Sequence, residues 1–398
     1  MEFVLTPNNL INLRMKTFIA VVLLQLACVC VHAQDSLYIR QMVDTLTSPY
    51  FWGRGYTNNG MQKASEFISS QFEKDGLLPL SGKSFFQNFT YPVNTFPGKM
   101  EVTVNGTKLE AGKDFIVSPE SRGVKATATL TQQDTIHFVD PVNRIIVTLQ
   151  HKLTGDVAMQ VQDYTGIIID DTRFKAMPLN VSANIDNEFV SKFKAANVCG
   201  YVKGTAQPDT FVFITAHYDH LGGLGSNVYF PGANDNASGT SVLLSLAKWY
   251  SAHPQPYSIG FISFAGEEAG LLGSKYFTEH PLVNLKNIRF LLNLDMEGTG
   301  VDGITVVNAT EFPKEFKWMQ DINGAQHYLA AVNPRGKAAN SDHYLFTEKG
   351  VPAFFFYTLG GIKAYHDVFD RPETLPLNKV NDIQQFIEAF VGRLVANN

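Results

Sequence analysis

Residues 211–222 read FVFITAHYDHLG, an apolar run that leads directly into His217, Asp219 and His220. A short apolar run bounded by a glycine-containing loop indicates a buried strand. Residues two apart on an extended chain share a face, so the side chains of His217 and Asp219 are expected to point the same way. The stretch predicts a buried strand with polar side chains at its carboxyl end.

The sequence on either side alternates between helix and strand patterns. Helix patterns occupy 238–252, 270–280 and 380–397, and strand patterns occupy 258–265, 288–295 and 351–359. Strands that alternate with helices predict an α/β fold with a mostly parallel central sheet flanked by helices. In such sheets, sites form just beyond the carboxyl ends of the strands.

Residues that can bind metal ions follow these predicted strands. They are His217, Asp235, Glu268, Asp295 and His366. Each one alone is weak evidence, because a strand-end histidine is often structural and the loop around Asp235 can simply cap a helix. Imidazole nitrogens and carboxylate oxygens together suit zinc, with manganese or cobalt as alternatives. The complete set predicts a two-metal hydrolase.

Several ordered motifs resemble those of the M28 metallopeptidases, which include bacterial leucine-type aminopeptidases and glutamate carboxypeptidases. The motifs are HYDHLG, GANDNASG, FAGEEAGLLGS, NLDM, SDHYLF and YH-x-x-x-D, within about 197–366. The segment FWGRGYTNNGMQKASEFISSQF at 51–72 resembles the N-terminal region of that family. The resemblance implies a zinc-exopeptidase fold, two zinc ions per chain and a peptide substrate.

The resemblance also implies a role for each candidate ligand. His217 and Asp295 would hold one zinc ion. Glu268 and His366 would hold the second, and Asp235 would bridge the two. In the family this aspartate often precedes a cis peptide bond, so one is expected at Asp235–Asn236.

Three further residues receive catalytic roles from the same resemblance. Glu267 would be the general base, and Asp219 would orient His217. Tyr365 matches a tyrosine that in several members hydrogen-bonds the developing oxyanion, and a packing role for it stays open. Glu297 departs from the family pattern and is expected to be a supporting acid, part of an amine site or a surface residue.

The leading functional prediction is an aminopeptidase that removes N-terminal residues. A glutamate carboxypeptidase-like enzyme stays open and would need a cationic pocket, for which Arg289, Arg335 and Lys337 are available. A glutaminyl cyclase-like enzyme with one zinc ion is disfavoured by the GANDNASG loop and by His217. An inactive binding ectodomain is disfavoured because every expected ligand position is filled.

The chain is predicted to divide into four parts. Residues 1–33 form a signal peptide, 34–86 the N-terminal part of the peptidase domain, 87–175 a β-rich insertion that serves as a lid or shapes the substrate site, and 176–398 the catalytic domain. The insertion is predicted from short strand patterns separated by Gly, Asn and Asp turns.

The N-terminal sequence predicts export. From Met15 it reads MKTFIAVVLLQLACVCVHAQD, with a lysine, an apolar run and small residues before Gln34. This pattern is typical of a signal peptide, here cut after Ala33, and residues 1–14 are attributed to a start codon assigned too early. The mature protein is therefore expected to be secreted or periplasmic, with Cys199 as its one cysteine and no internal disulfide.

Composition sets the remaining bounds. The chain has 398 residues, of which 45% are hydrophobic and 17% charged, and a formal net charge of -5. These values are ordinary for a folded globular protein and argue against long disordered regions. Because the lysines and arginines are scattered, nucleic-acid binding is not expected. No membrane span is predicted in the mature chain, and no particular oligomeric state is predicted.

Overall fold

A computed structural model describes residues 36–396 of the protein, so the predicted signal peptide lies outside the described residues. The helices are α1 (36–46), α2 (Gly60–Lys74), α3 (Gly239–Ala252), α4 (Leu272–Glu279), α5 (Pro313–Gln326), α6 (His343–Glu348) and α7 (Val380–Ala396). Short 3-10 turns occupy Pro49–Arg54, Leu285–Asn287 and Pro372–Thr374. Within the described range, no helix combines the length and apolar character needed to span a bilayer.

The strands are β1 (Leu78–Pro79), β2 (Phe86–Thr95), β3 (Met100–Val104), β4 (Thr107–Leu109), β5 (Phe115–Val117), β6 (Val124–Thr129), β7 (Thr131–Gln132), β8 (His137–Asp140), β9 (Ile145–Gln150), β10 (Thr165–Asp170), β11 (Asn180–Ile185), β12 (Glu188–Val202), β13 (Gln207–His217), β14 (Gly223–Leu224), β15 (Val228–Tyr229), β16 (Tyr257–Phe264), β17 (Ile288–Leu294), β18 (Ile304–Val307), β19 (Val332–Pro334) and β20 (Ala353–Thr358).

The central sheet has the strand order β1–β12–β16–β13–β17–β20–β18–β19, with β2 also paired to β12. Its middle strands β16, β13, β17 and β20 run parallel. The flanking strands β12 and β18 pair with this group in the antiparallel direction. The predicted α/β fold is confirmed, with the parallel strands at the centre of the sheet.

Side chains on the two faces of β13 belong to two separate cores. Val212 and Ile214 pack in a large core with residues of α3 and α7. Phe211 and Phe213, which alternate with them, pack in a smaller core with residues of α4 and α6. Because successive residues of a strand face opposite ways, an uninterrupted apolar run can be buried on both faces only when helices cover both.

The β-rich insertion consists of two small sheets. One has the order β5–β10–β9–β8–β7, and the other has the order β4–β3–β11–β6. Their shared apolar core also includes Leu221, Leu224, Phe230 and Val368, which lie in the C-terminal part of the chain. The insertion is therefore packed directly against loops that follow β13 and β20.

The bounds of these small sheets differ from the predicted 87–175. The strand β2 pairs with β12 of the central sheet from Phe86 to Thr95, whereas β11 at Asn180–Ile185 belongs to a small sheet. Strand patterns alone do not identify the partner of a strand, and that partner decides to which sheet each boundary strand belongs.

Candidate metal centre

The predicted site residues meet at the carboxyl ends of the parallel strands. His217 is the last residue of β13, and Asp295 directly follows β17. Glu267 and Glu268 follow β16, and His366 lies in the loop after β20. Because β16, β13, β17 and β20 are neighbours in this order, their ends deliver these side chains to one place.

Asp235 reaches the same place from the loop before α3. This loop forms a π-helical turn at Ala233–Ser238, and the Asp235–Asn236 peptide bond is cis, as expected from the sequence. The Asp370 carboxylate accepts hydrogen bonds from the main-chain amides of Asn234 (2.9 Å) and Asp235 (3.0 Å). Asp370 therefore fixes the backbone that carries the Asp235 side chain.

The two oxygens of Asp235 face different histidines. Its Oδ1 lies 3.4 Å from His217 Nε2, which is also 3.3 Å from Asp295 Oδ1. Its Oδ2 lies 3.0 Å from His366 Nε2, which is also 3.0 Å from Glu268 Oε2. The five side chains thus form two donor clusters that share one carboxylate.

The spacing and chemistry of these donors fit a pair of zinc ions. Donor atoms about 2.0–2.2 Å from a tetrahedral zinc lie roughly 3.3–3.6 Å apart, which is close to the distances within each cluster. Two groups of residues have donor atoms within 4.8 Å of one another and could each hold a metal ion. They are His220, Asp235, Glu268 and His366, and His217, Glu267 and Asp295.

Several acidic side chains are buried together at this site, and their ionised forms need positive charge nearby. The acids concerned are Asp219, Asp235, Glu267, Glu268 and Asp295, whose side chains are between 0% and 14% exposed. Burial raises the pKa of Glu267 well above its ordinary value, and it raises the pKa of Asp219 to about 7. So many ionised carboxylates are costly in a protein interior unless cations neutralise them.

Hydrogen bonds between histidines and carboxylates shift the pKa values of both kinds of group at this site. Burial opposes ionisation of Glu268, yet its hydrogen bonds with His220 and His366 lower its pKa to about 2. Burial also opposes protonation of His366, yet its hydrogen bonds to Asp235 and Glu268 raise its pKa to about 11. A bound metal cation would supply the same positive charge and leave each imidazole neutral, which is the form that binds metals.

Asp219 contacts both sides of the site. The His217 ring places Nδ1 3.2 Å from the Asp219 main-chain carbonyl and 3.8 Å from its carboxylate. The same carboxylate accepts hydrogen bonds from the amides of Glu267 (3.1 Å) and Glu268 (3.3 Å). Asp219 therefore lies where it can orient His217, and it also fixes the turn that carries both glutamates.

His220 is a site residue that the sequence reasoning missed. It is fully buried, and its Nδ1 lies 2.6 Å from Glu268 Oε1, whereas His366 Nε2 contacts the other oxygen of that carboxylate, Oε2. His220 stands directly after Asp219 within the HYDHLG motif and beyond the end of β13 at His217, where the two-residue period of a strand no longer predicts which way a side chain points. Only the second histidine in HYDH could have drawn attention to it.

Arg54 is a second residue that was missed. Its fully buried guanidinium donates hydrogen bonds to five main-chain carbonyls, those of Tyr218 (2.8 Å), Leu46 (3.2 Å), Pro231 (2.7 Å), Gly232 (2.8 Å) and Asp235 (3.3 Å). These carbonyls belong to α1, the His217 loop and the Asp235 loop. Arg54 thus ties the N-terminal region to both loops of the metal centre.

Glu297 is fully buried, so the surface alternative for this residue is wrong. Burial and the neighbouring Asp295 raise its pKa well above the ordinary value. Its main-chain amide donates a hydrogen bond to Ser238 Oγ (2.8 Å), so the main chain of Glu297 is tied to the turn that carries Asp235.

Tyr365 lies at the mouth of the site. Its ring stacks on that of His366 with centroids 4.0 Å apart and planes 13° apart, and 42% of the residue is exposed. Burial of its hydroxyl and the charge of Asp235 raise its pKa. Tyr365 lines the same cavity as His217, Asp235, Glu267, Asp295 and His366, which leaves its ring accessible to a ligand there.

The insertion holds His366 in place through the main chain of Gly155. The amide of Gly155 donates a hydrogen bond to the His366 carbonyl (2.7 Å), and His366 Nδ1 lies 3.0 Å from the Gly155 carbonyl. Lys152 from the same segment donates to the carbonyl of Tyr365 (3.2 Å). A ring whose Nδ1 is held by a carbonyl presents Nε2 to the metal site.

Substitution of Gly155 by valine is expected to weaken zinc binding at the His366 cluster by about 10- to 100-fold, the usual effect of losing a group that orients a ligand. A Cβ atom at this position would lie 2.8 Å from Leu221 Cδ1 and 3.2 Å from Phe230 Cε1, so these buried side chains and the segment must rearrange, which disturbs the contact of Gly155 with His366. Zinc affinity is measured by competition with a chromogenic chelator. Gly324→Val is the matched control, because nothing lies within 4 Å of the added Cβ. Equal affinities for the two variants would contradict this prediction.

The known proteins that this chain resembles in sequence are peptidases. Residues 197–391 match the family model for Peptidase family M28. Aminopeptidase YwaD of Bacillus subtilis (strain 168) is 35% identical over 296 residues, which is 72% of this chain and 59% of the relative. A probable zinc metalloprotease of Pyrenophora teres f. teres is 34% identical over 125 residues, 30% of this chain and 27% of the relative. The chain thus spans less than two thirds of the length of these curated relatives.

Solved structures share the fold. BSAP, a zinc aminopeptidase from Bacillus subtilis, superposes with a TM-score of 0.66 at 18% identity, over 90% of this chain and 95% of that one. A Peptidase M28 precursor from Shewanella amazonensis superposes with a TM-score of 0.68 at 16% identity, over 92% and 96% of the two chains. At these identities the likeness establishes the architecture.

Proposed function

The chain belongs to peptidase family M28 through residues 197–391, and from this premise we propose that it is a two-zinc aminopeptidase that removes N-terminal residues from peptides. The observation that carries the proposal is the position of Asp235, with one carboxylate oxygen toward each histidine-containing cluster. A relative named as an aminopeptidase, with 35% identity over most of this chain, supports the choice of reaction.

The proposed ligands divide between two ions. His217 and Asp295 would hold the first, Glu268 and His366 the second, and Asp235 both. When bound, the ions supply Lewis-acid chemistry that polarises the scissile carbonyl and makes the attacking water more acidic. His220 would hold the Glu268 carboxylate in its binding orientation through the hydrogen bond to Oε1.

Glu267 is proposed to move the proton. Its carboxylate lines the cavity and lies 4.0 Å from His217 Nε2, which places it beside the donor clusters. Because burial raises its pKa, the carboxylate is a better proton acceptor than an exposed glutamate. Glu267 would take a proton from the attacking water as the water oxygen bonds to the carbonyl carbon, and would deliver it to the leaving amine as the C–N bond breaks.

Tyr365 is proposed to support the developing negative charge. Stacking on His366 holds its ring beside the second cluster, and its raised pKa keeps the hydroxyl protonated at neutral pH. A protonated hydroxyl can donate a hydrogen bond to the oxyanion that forms when water adds to the carbonyl.

The protein is further proposed to be exported, with residues 1–33 removed. The proposal rests on the signal-peptide pattern from Met15 to Ala33. Protein recovered outside the cytoplasm should have Gln34 as its first residue on N-terminal sequencing, and a cytoplasmic protein that keeps Met1 or Met15 would contradict it.

The reaction is tested with paired peptides that carry either a free or an acetylated N-terminus, with zinc supplied and with a chelator. Hydrolysis is expected only for the free-amine peptides and should stop on chelation, since an aminopeptidase binds the free α-amine. Amino-acid release is followed by chromatography. Equal hydrolysis of the acetylated peptides would indicate a carboxypeptidase. No hydrolysis by zinc-loaded protein would favour a cyclase or a binding protein.

A further inference from the structure

The cavity at the metal centre has a volume of about 220 Å³ and a mixed lining. Beyond the proposed ligands and Glu267, it is lined by Met296, Arg335, Asn340, Phe355, Tyr357 and Tyr365. Arg335 is the one lysine or arginine side chain among these described lining residues. Its guanidinium therefore supplies the positive charge of an arginine to this cavity.

Two hydrogen bonds fix the main chain of Arg335. Its amide donates a hydrogen bond to the Val306 carbonyl (2.8 Å), and its carbonyl accepts one from the Ala309 amide (3.0 Å). These bonds extend the pairing of β18 with β19 beyond the end of β19. The side chain therefore starts from the rigid edge of the central sheet.

The guanidinium itself is open to a ligand. Its Nη1 donates a hydrogen bond to the Tyr357 hydroxyl at 3.2 Å. Arg335 is exposed, and within residues 36–396 no carboxylate lies within 4.0 Å of it. A guanidinium has five N–H donors, so most of them remain available for a ligand in the cavity.

Arg289 and Lys337, the other two candidate cations, do not line this cavity. Arg289 lies near the start of β17, six residues before Asp295, which corresponds to about 20 Å along an extended strand. Lys337 forms an ion pair with Glu348 and does not line the cavity. Of the three, only Arg335 combines position and an available charge.

We propose that Arg335, supported by Tyr357, is a carboxylate-binding subsite, so that the preferred substrates are short peptides with a carboxylate close to the scissile bond. The inference rests on the proposed peptidase function and names its substrate class. Arginine binds carboxylates through two parallel N–H···O bonds, and the Asn340 amide in the same lining can add a third donor. The carboxylate comes either from an acidic N-terminal side chain or from the free C-terminus of a dipeptide.

The test uses three substrates with free N-termini: Glu-Gly-Gly amide, Leu-Gly-Gly amide and the free acid Leu-Gly. Arg335→Ala is expected to lower kcat/KM by about 10- to 100-fold on one of the two carboxylate-bearing peptides, mainly through KM, while Leu-Gly-Gly amide changes less than about threefold. The affected peptide identifies the source of the carboxylate. Arg335→Lys should restore part of the loss, because it keeps the charge and loses the paired geometry.

Lys337→Ala is the matched control and should leave all three rates unchanged. Equal losses on all three substrates in Arg335→Ala, or no loss on any, would overturn the inference. The proposed function has its own readout, which is hydrolysis of Leu-Gly-Gly amide by the wild type.

If the wild type does not hydrolyse Leu-Gly-Gly amide, a binding measurement still tests the inference. Calorimetry compares glutamate α-amide, leucine and leucine amide on zinc-loaded wild type and on Arg335→Ala. A loss of affinity confined to one of the two carboxylate-bearing ligands supports the subsite, and equal affinities for both proteins overturn it.

Discussion

Substitution of Glu267 by glutamine is expected to lower kcat by about 10²- to 10⁴-fold without changing the zinc content, the range by which positioned acid–base groups accelerate reactions. Glutamine keeps the size and hydrogen-bonding capacity of the side chain but cannot accept the proton from water. Steady-state kinetics on a free-amine peptide and metal analysis of the same preparation measure both quantities.

Glu279→Gln is the matched control, because Glu279 is an exposed residue at the end of α4. It should leave kcat unchanged. The outcome of Glu267→Gln also separates two roles, since Glu267 lies in the donor group with His217 and Asp295. Loss of zinc in proportion to the loss of activity would make Glu267 a ligand and contradict its role as the base.

Substitution of Arg54 by methionine is expected to lower the free energy of unfolding by about 3–5 kcal/mol, because it removes a buried cation that donates hydrogen bonds to five main-chain carbonyls. The change leaves buried carbonyls of three separate segments without their donor, each of which costs about 1–3 kcal/mol before any relaxation. It also removes a positive charge that interacts electrostatically with Asp235 and Asp370. Burial lowers the pKa of Arg54 to about 10, so the residue is still cationic at neutral pH.

Denaturant unfolding in the presence of a chelator measures this effect without a contribution from metal binding. Arg173→Met is the control, because Arg173 makes an exposed ion pair with Asp114 (2.7 Å) in the insertion and should lose no more than about 1 kcal/mol. If Arg54→Met does not fold, Arg54→Lys keeps the charge and is expected to fold with weaker zinc binding. Equal unfolding free energies for the Arg54 and Arg173 variants would contradict the role given to Arg54.

The sequence predicts which side chains meet at the edge of the central sheet, because its signals are local. His217 and Asp295 stand directly after apolar runs, and Glu268 lies three residues after the run that ends at Ala265. An apolar run of that kind becomes a buried strand with its carboxyl end at the site. The order of the strands in the sheet then brings the residues together. The family resemblance adds which residue faces which ion, and the distances around Asp235 are consistent with that assignment.

The supporting residues were not predictable because their partners are far away in the chain. Four of the five carbonyls that Arg54 binds lie 164 to 181 residues later, and Gly155 meets His366 across 211 residues. Both use main-chain groups, which carry no signal in the sequence. Asp370 is the last residue of the YH-x-x-x-D motif, but the motif does not tell that its carboxylate binds amides of the Asp235 loop, about 135 residues before it.

The contacts of the insertion could not be predicted from the sequence for the same reason. Its strands were recognisable from their patterns, but its contact with His366 depends on how the small sheets pack against Leu221, Phe230 and Val368. That packing assigns the insertion a structural part in the metal centre, in addition to the predicted role as a lid or substrate-shaping element.

The most direct test of the shared metal centre is the number of zinc ions bound per chain, measured by elemental analysis during titration of metal-free protein. Wild-type protein is predicted to bind two, and Asp235→Ala is predicted to lose high affinity for both, because Asp235 contributes an oxygen to each cluster. Asp209→Ala, on the exposed part of β13, should still bind two. Saturation of the wild type at one zinc ion, or an Asp235→Ala protein that binds two with unchanged affinity, would contradict the account.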